Sequence, residues 1–361
     1  MRILITTGGT GGHIYPAIAL ADIIKEKDQT TTFLFVGSNN RMETTIVPQN
    51  GYEFKGISAR GFNGASGNKL QSLQMLMSSY SKCKEIIKEF NPDIVIGFGG
   101  YVTVGVILAA VRMKIPTVIH EQNSTAGLAN KLLGHFAKKV IISYPSSAKD
   151  FPKNKTVLLG NPRATIAANL KVRKGYLGDC GLKSKLKTVL MVMGSQGATG
   201  VNEIMIETLN SLNPTNYQIA YVTGENNYED FKSKIVDNEN IVILPYVDQV
   251  QMLAHVDLVV CRGGATSAAE ITALKVPSII IPSPYVPNNH QYYNAKELLD
   301  NGCALLVEEK SFESKSFIAM LEELINDDAR LSEMSKNAST LGFNNAAYDI
   351  MSLLEEVGTK K

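Results

Sequence analysis

Residues 2–24 read RILITTGGTGGHIYPAIALADII. Ile3 to Thr7 form an apolar run rich in β-branched residues, which predicts a buried strand. The glycine loop Gly8 to His13 follows directly, and Ile14 to Ile24 predict a helix with Pro16 in its first turn. Glycine lets the backbone approach an anion closely, and a helix N-terminus stabilises negative charge. The segment therefore predicts the start of a βαβ unit with a phosphate-type loop at the carboxyl end of its strand.

The spacing of these glycines excludes two familiar nucleotide-binding loops. A dinucleotide GxGxxG fingerprint that began at Gly9 would require glycine where Ile14 stands, and the sequence contains no GxxxxGKS/T motif. A tight turn is the simpler alternative, but four glycines around a threonine and a histidine exceed what a turn requires. The loop is therefore predicted to bind a polar ligand group.

Similar apolar runs recur between longer amphipathic stretches, and they fall into two groups. This alternation predicts βαβ units and two doubly wound parallel sheets. The other predicted strands are Thr32 to Val36, Ile94 to Ile96, Thr117 to Ile119 and Val140 to Ser143, then Val189 to Met193, Ile219 to Thr223, Ile241 to Leu244, Leu258 to Cys261 and Ser278 to Ile281. Turn residues around Asn161 predict a boundary there, so the first domain covers residues 1–161 and the second 162–342. The last helix, about residues 343–361, is expected to pack back on the first domain.

The composition is that of a globular protein. A chain of 361 residues exceeds one hydrophobic core, and its 44% hydrophobic and 19% charged residues are ordinary for folded domains. The net charge of +2 is too small to indicate nucleic-acid binding. The four cysteines are far apart, which predicts neither a zinc site nor a disulfide framework and fits a reducing cytosol. Residues 94–111 carry no charge, but glycines interrupt them, so a strand, a turn and a helix from near Val102 are predicted instead of a membrane span.

Two further segments of the first half place polar groups after predicted strands. Gly97 to Thr103 is a second glycine loop, and His120 to Asn123 follow the strand that ends at Ile119. Ligands of doubly wound sheets bind outside the carboxyl ends of the strands, so both segments are expected to face one crevice. The alternatives are close helix packing for the glycines, and capping of the helix near Ala126 for one or two of the polar side chains.

The second half repeats this arrangement. Gly194 to Ala198 follows a predicted strand, and Cys261 to Thr266 introduces a helix that carries Glu270 about one turn in. A glutamate there can accept two ribose hydroxyls while the helix N-terminus meets a diphosphate, which predicts a nucleotide-sugar site. The alternative for Glu270 is a charge-complemented helix start. His290 to Ala295 begin another helix after the proline-rich loop 282–288.

In their order along the chain, these loops closely resemble glycosyltransferase family 28, and within it the N-acetylglucosaminyltransferases of peptidoglycan precursor synthesis. The resemblance spans nearly the whole chain. It is carried by Gly8 to His13, Gly97 to Thr103, the HEQN segment His120 to Asn123 with Ala126 to Leu128, Gly194 to Ala198, Cys261 to Glu270 and His290 to Ala295. Two positions depart from the family: Met193 replaces the first glycine of GGSQGA, and Arg163 stands one place earlier than the arginine that commonly follows GNP.

The resemblance implies a GT-B fold, in which two Rossmann-like domains with doubly wound parallel sheets face a cleft. It implies UDP-N-acetylglucosamine as donor, bound mainly by the second domain. The implied acceptor is the C4 hydroxyl of the muramoyl sugar in undecaprenyl-pyrophosphoryl-MurNAc-pentapeptide, called lipid I. Transfer would invert the anomeric centre and give lipid II. No DxD carboxylate pair lies near the loops, so neither a metal nor another cofactor is expected.

The resemblance also implies roles for individual residues. His13 is the candidate general base, the alternative being a hydrogen bond to the acceptor diphosphate or a cap on its loop. The implied donor contacts are Thr10, Gly11, Gly12, Asn123, Arg163, Ser195, Val247, Ala265, Thr266, Ser267, Ala268, Ala269, Glu270, Gln291 and Asn294. The acceptor-side candidates are Gly99, Gly100, Tyr101, His120 and Glu121.

A lipid acceptor implies contact with the cytoplasmic membrane surface. Apolar residues recur at helical spacing beside lysines between residues 69 and 88, as in helices that bind anionic headgroups, although core packing explains the pattern equally well. The residues are Leu70, Leu73, Leu76, Met77, Tyr80, Lys82, Lys84 and Lys88, with Lys138 and Lys139 as neighbours. The expected location is peripheral, on the cytoplasmic face of the cell membrane, with proteins of the cell-wall and division machinery as further partners.

Two other functions remain open from the sequence. A related GT-B transferase would share the donor loops and use a glycolipid or soluble acceptor, and the HEQN segment argues against it. An inactive nucleotide-sugar-binding or scaffold protein would lose the catalytic polar residues, whereas His13 and Glu270 are both present.

Overall fold

The computed structural model describes residues 1–58, 69–193 and 199–359, with side chains for 1–58, 80–193 and 201–358. Its strands are β1 Arg2–Thr6, β2 Thr32–Ser38, β3 Phe54–Ile57, β4 Ile94–Gly97, β5 Thr117–Glu121, β6 Lys139–Ile142, β7 Thr156–Leu158, β8 Lys187–Val192, β9 Tyr217–Val222, β10 Ile241–Leu244, β11 Leu258–Cys261, β12 Ser278–Ile280 and β13 Ala304–Leu306. Its α-helices are α1 Gly11–Lys27, α2 Glu43–Gln49, α3 Lys69–Phe90, α4 Tyr101–Arg112, α5 Leu128–Gly134, α6 Pro162–Ala168, α7 Tyr176–Asp179, α8 Thr199–Ser211, α9 Tyr228–Lys232, α10 Gln249–Leu253, α11 Ala265–Leu274, α12 His290–Asp300, α13 Ser314–Ile325, α14 Asp328–Leu341 and α15 Ala346–Thr359. Short 3-10 helices cover Pro145–Asp150, Glu225–Asn227, Pro287–Asn289 and Glu309–Ser311.

Two parallel sheets organise the described part of the chain. The first has the order β3-β2-β1-β4-β5-β6-β7 and the second the order β10-β9-β8-β11-β12-β13. Every pairing within them is parallel; Ile3 of β1, for example, lies between Phe33 of β2 and Ile94 of β4. The predicted pair of doubly wound sheets is therefore confirmed. In each sheet the order reverses direction beside the first strand, which is where such folds bind ligands.

The chain forms two compact units, Met1–Ile166 together with the segment from Phe343 onward, and Ala167–Gly342. The first unit continues past the turn around Asn161 into α6, where the Thr165 hydroxyl accepts a hydrogen bond from the Ala347 N–H at 2.9 Å. Helix α15 packs against α1 in the core of this unit, through Ala347, Ile350 and Leu354. The division of acceptor and donor binding between the two units stays a prediction.

Buried apolar side chains explain why these segments are strands. Ile3, Leu4 and Ile5 of β1 are all fully buried, because helices cover both faces of a parallel sheet. The three strands absent from the sequence prediction, β3, β7 and β13, lie at sheet edges. Most of their residues are partly or fully exposed, and each strand has only three or four residues, so their apolar signal is weak.

The uncharged stretch 94–111 forms β4, a glycine turn and α4, as predicted. Helix α1 begins at Gly11, three residues before the predicted start, so Pro16 lies beyond its first turn. No helix in the described ranges is long and apolar enough to span a bilayer. The side chains of Leu70, Leu73, Leu76 and Met77, which belong to the predicted membrane patch, lie outside the described residues.

Candidate functional site

The first glycine loop carries the chain from β1 into α1. Gly9 has a φ of +93°, in the region that favours glycine, and its N–H donates to the Glu43 carboxylate at 3.2 Å. A side chain at Gly8 would lie 2.3 Å from an oxygen of the same carboxylate. The Gly9 amide is thus directed into the protein, and Thr10, the exposed residue that precedes α1, follows it.

His13 lies in the first turn of α1 and is held by its own loop. Its Nδ1 lies 3.0 Å from the carbonyl oxygen of Gly8 and 3.5 Å from the hydroxyl of Thr10. A carbonyl only accepts hydrogen bonds, so the neutral ring carries its proton on Nδ1 and its lone pair on Nε2. The geometry therefore leaves Nε2 as the basic nitrogen.

The second glycine loop packs directly against the first. Gly99 and Gly100 have φ values of +105° and +89°. A side chain at Gly100 would lie 2.5 Å from the Gly8 carbonyl oxygen, and one at Gly99 would lie 3.1 Å from Nε2 of His13. Tyr101 follows as the first residue of α4, with its side chain exposed. The two predicted loops therefore lie together around His13.

His120 is fully buried beneath these loops. Its Nε2–H donates to the Gly160 carbonyl at 2.9 Å, and its ring stacks on Phe98 at 5.0 Å. Its pKa is lowered to about 4, mainly by burial and in part by the nearby His13, while the Gly160 bond opposes the change. The ring is thus enclosed by the protein, and the acceptor contact of His120 stays a prediction.

Glu121 is also buried, and its carboxylate holds the segment that follows β5. One oxygen accepts from the backbone N–H and side-chain amide of Asn123, at 2.9 and 3.1 Å. The other accepts from the Gly127 N–H and the Asn130 side chain, at 3.1 and 2.9 Å. Glu121 thus fixes the position of Asn123, which is half-buried. This favours a positioning role for Glu121, where the sequence suggested contact with the acceptor.

In the second unit, Glu270 lies on the buried side of α11, whose N-terminus points towards the loop 262–264. The side-chain amide of Gln249 donates to Glu270 Oε2 at 2.8 Å and lies 3.3 Å from the Ser267 hydroxyl. Gln249 is the first residue of α10, two positions after Val247. The sequence analysis missed Gln249, although its place two residues after Val247, a predicted donor contact, was a usable signal.

Arg262 joins the carboxyl ends of three strands. Its guanidinium donates to the Ile281 carbonyl at 3.0 Å and the Met193 carbonyl at 3.4 Å, and it forms an ion pair with Glu309 at 2.6 Å. The two side chains of the ion pair are each only 11% exposed. Met193 directly follows β8, so Arg262 and its ion pair hold that strand end in place. Neither Arg262 nor Glu309 was singled out from the sequence.

Gln291 and Asn294, two of the predicted donor contacts, both hold nearby loops. The Gln291 side chain accepts from the Ser283 N–H at 2.9 Å, and the fully buried Asn294 amide donates to the Gly263 carbonyl at 3.0 Å. A side chain at Gly263 would lie 2.2 Å from the Gln291 carbonyl oxygen, so α12 and this loop are in close contact.

The remaining predicted donor residues are placed as follows. Val247 is buried in the apolar core of the second unit. Arg163 is half-buried in α6 and close enough to Asp22 to lower the pKa of that carboxyl, although burial raises it overall. Ser195 lies outside the described residues. Ala265, Thr266, Ser267, Ala268 and Ala269 form the first turns of α11.

All four cysteines are free thiols, and Cys83, Cys261 and Cys303 are buried. Across the described residues, no group of three histidine, cysteine or acidic side chains comes together as a metal site would require.

Comparison with known proteins agrees with this arrangement. Residues 3–142 match the glycosyltransferase family 28 N-terminal domain, and residues 188–354 match the C-terminal domain of the same family. The chain belongs to glycosyltransferase family 28. The resemblance seen in the sequence is thereby confirmed, and the protein is a UDP-sugar glycosyltransferase.

Full-length relatives of this family 28 transferase carry one name, UDP-N-acetylglucosamine--N-acetylmuramyl-(pentapeptide) pyrophosphoryl-undecaprenol N-acetylglucosamine transferase. The relative from Pediococcus pentosaceus is 42% identical over 99% of both chains. The relative from Leuconostoc citreum is also 42% identical, over 100% of both chains.

The fold of the transferase is likewise found in solved structures. Acinetobacter baumannii MurG superposes with a TM-score of 0.81 at 26% identity, covering 98% of this chain and 99% of that one. A Staphylococcus aureus MnaA–UDP complex superposes with a TM-score of 0.71 at 16% identity, covering 98% and 96%, a likeness of fold alone.

Proposed function

We propose that this chain transfers N-acetylglucosamine from UDP-N-acetylglucosamine to the C4 hydroxyl of the muramoyl sugar of lipid I, giving lipid II for peptidoglycan synthesis. The observation that carries the proposal is the identity of about two residues in five, over the full length, to relatives named for this reaction. The lipid-linked acceptor comes from that name, and the UDP-sugar chemistry from the family.

His13 is the proposed general base. Its Nδ1 bond to the Gly8 carbonyl places the lone pair of the neutral ring on Nε2, which would accept the proton of the acceptor hydroxyl. As this proton leaves, the hydroxyl oxygen forms a bond to C1 of the donor sugar and the bond from C1 to the UDP oxygen breaks on the opposite face. The anomeric centre is inverted, and the electron pair of the broken bond leaves with UDP.

The second unit supplies the proposed donor contacts. The positive N-terminal end of α11 suits the diphosphate, whose charge increases as the sugar departs. The Glu270 carboxylate has four lone-pair positions, so it can accept two ribose hydroxyls while Gln249 keeps its bond. The backbone near Val247 would meet uracil, and Ser195, Gln291 and Asn294 complete the proposed set. Donor contacts from Thr10, Gly11, Gly12, Asn123 and Arg163 stay predictions.

An undecaprenyl acceptor places the reaction at a membrane, and the first unit offers an apolar surface for it. Leu128 and Leu132 lie one turn apart on α5 and are 69% and 48% exposed, and Phe136 follows just after the helix at 49%. Lys138 and Lys139 lie next in the chain, where they would attract anionic headgroups. We therefore propose that the protein binds peripherally to the cytoplasmic face of the membrane through this α5 surface, Leu128, Leu132 and Phe136.

The proposal is tested by the transfer of radiolabelled N-acetylglucosamine from its UDP donor to a lipid I analogue by the purified protein. EDTA in one arm decides whether a metal is needed, and excess UDP-glucose in another decides donor selectivity. The proposal is supported if labelled product forms in the presence of EDTA and if excess UDP-glucose does not reduce its amount. Donor binding without transfer to lipid I would favour another acceptor or a scaffold protein.

A further inference from the structure

Glu43 is a buried carboxylate directly beneath the first glycine loop. It is the first residue of α2 and is fully buried. One of its oxygens accepts from the Ser38 N–H at the end of β2, at 2.9 Å, and the other accepts from the Gly9 N–H at 3.2 Å. Burying a carboxylate is unfavourable unless hydrogen bonds compensate it, and these two N–H groups supply such bonds.

The peptide bond between Gly8 and Gly9 joins this carboxylate to His13. In a planar trans peptide the N–H and the C=O point in opposite directions. The N–H of this peptide points down to Glu43, and its carbonyl oxygen therefore points the other way, where it accepts from His13 Nδ1 at 3.0 Å. The carboxylate, the peptide and the imidazole thus form one hydrogen-bonded chain.

We infer that Glu43 is a positioning residue for the candidate base, acting on His13 through the Gly8–Gly9 peptide. By holding the peptide in one orientation, Glu43 makes the Gly8 carbonyl the acceptor for Nδ1–H, which keeps the imidazole lone pair on Nε2. Charge-assisted bonds are stronger than neutral ones, and each bond in such a chain polarises the next. The inference deepens the proposed function, because it gives the base its tautomer.

The surroundings of Gly8 and Gly100 also restrict the orientation of this peptide. A side chain at Gly8 would meet the Glu43 carboxylate, and one at Gly100 would meet the Gly8 carbonyl oxygen at 2.5 Å. The peptide is thus enclosed on both sides, and a rotation that exchanged its N–H and C=O would turn the carbonyl oxygen towards a carboxylate. Glu43 excludes that rotation by charge repulsion.

The direct test is the tautomer of His13, read by long-range 1H–15N NMR on protein labelled with 15N-histidine. The chain has five histidines, and His13→Gln assigns the signal of interest. Wild-type protein at about pH 8, where imidazole is neutral, is expected to show His13 protonated at Nδ1. Glu43→Ala should convert it to a mixture of tautomers or to the Nε2–H form. Glu43→Gln, which offers one acceptor oxygen to two N–H donors, should give an intermediate result.

Transfer kinetics supply a second readout, with Val47→Ala as matched control. Val47 is fully buried one turn further along α2, so its truncation loosens the same helix without removing the carboxylate. Glu43→Ala should lower kcat by about ten-fold or more with the donor KM within about two-fold, while Val47→Ala keeps kcat within about two-fold of wild type.

An Nε2–H tautomer in wild-type protein would overturn the inference, whether or not the variants fold. A folded Glu43→Ala protein with an unchanged tautomer and unchanged kcat would do the same. The NMR readout does not require turnover, so it separates two failures. If the predicted tautomers are seen but lipid I receives no sugar, the proposed function fails and the structural inference stands.

Discussion

The side-chain amide of Gln249 donates a hydrogen bond to Oε2 of Glu270 across 2.8 Å, which connects α10 to α11 in the second unit. Glu270 is buried, and this bond fixes the direction in which its other lone pairs face. A residue with no predicted role thereby orients the carboxylate expected to bind ribose.

Replacement of Gln249 by alanine should weaken UDP binding about ten-fold, since a hydrogen bond to a charged group contributes about 1.5 kcal/mol or more. Isothermal titration with UDP measures this change. In a Glu270→Ala background, which itself weakens binding, the Gln249 effect should disappear. Gln251→Ala is the control, because Gln251 lies on the same helix and bonds Lys171 and Arg173. If Gln249→Ala and Gln251→Ala weaken UDP binding equally, Gln249 does not have the specific role proposed here.

His13→Ala should lower kcat by about 10²-fold or more, the usual contribution of a general base, and leave the Kd for UDP within about two-fold. Steady-state transfer assays and titration measure the two quantities separately. His255→Ala removes an imidazole that bonds the Arg173 carbonyl in the second unit, and it should change neither. Near-normal turnover of His13→Ala would remove His13 from the mechanism.

The ion pair between Arg262 and Glu309 should be important for stability, because both side chains are nearly buried. Glu309→Ala leaves a buried guanidinium unpaired, which is expected to destabilise the second unit by about 3 kcal/mol. Differential scanning calorimetry measures this change. The unfolding transition of the second unit is recognised because its temperature should rise when UDP is added. Asp300→Ala breaks the exposed pair with Lys296 and should change stability by less than about 1 kcal/mol. If Glu309→Ala destabilises the protein no more than Asp300→Ala does, the buried ion pair is not important for stability.

Burial of His120 predicts a dependence of stability on pH. Its pKa is about 4 in the folded protein and about 6.5 when unfolded, so the unfolded state binds more protons between these values. Stability from this group is complete above about pH 6.5, falls as the pH is lowered and is lost by about pH 4, a change of about 3 kcal/mol. Urea unfolding of wild type and His120→Gln over this range should show a smaller acid loss in the variant. If the free energy of unfolding falls equally in both proteins over this pH range, His120 is not the cause of the acid loss.

The α5 surface should determine membrane binding. Leu132→Glu places a charge on an exposed apolar position and should reduce co-sedimentation with vesicles of anionic phospholipid. Transfer to a water-soluble, short-chain lipid I analogue should be unchanged. Val236→Glu, at a position 67% exposed in the second unit, is the control. If both variants sediment like wild type, the α5 surface is not the contact.

The central strands and glycine loops were predictable because each gives a strong local signal. Ile94 to Ile96 are fully buried, so their apolar run identifies a parallel strand, whereas Thr156 to Leu158 at a sheet edge give little signal. Order of the strands within each sheet followed only from the structure, because pairing depends on contacts distant in sequence.

Long-range hydrogen bonds account for most of what the sequence could not predict in the candidate site. Glu43 is 34 residues from Gly9, and Glu309 is 47 from Arg262, so no local pattern connects either pair. His120 and Glu121 look like ligand-facing side chains at a strand end, but β5 is central in its sheet and both are buried there. A polar residue at the end of a central strand can therefore have a structural role as readily as a ligand-binding one.

The product of the reaction is the most direct test of the central claim. Wild-type protein should be incubated with UDP-N-acetylglucosamine and a lipid I analogue, and the isolated product examined by mass spectrometry and NMR. We expect one added N-acetylglucosamine, joined through a β linkage to C4 of the muramoyl sugar, because the donor is an α-linked UDP-sugar and the proposed transfer inverts the anomeric centre. An α linkage, attachment at another hydroxyl, or no product would contradict it.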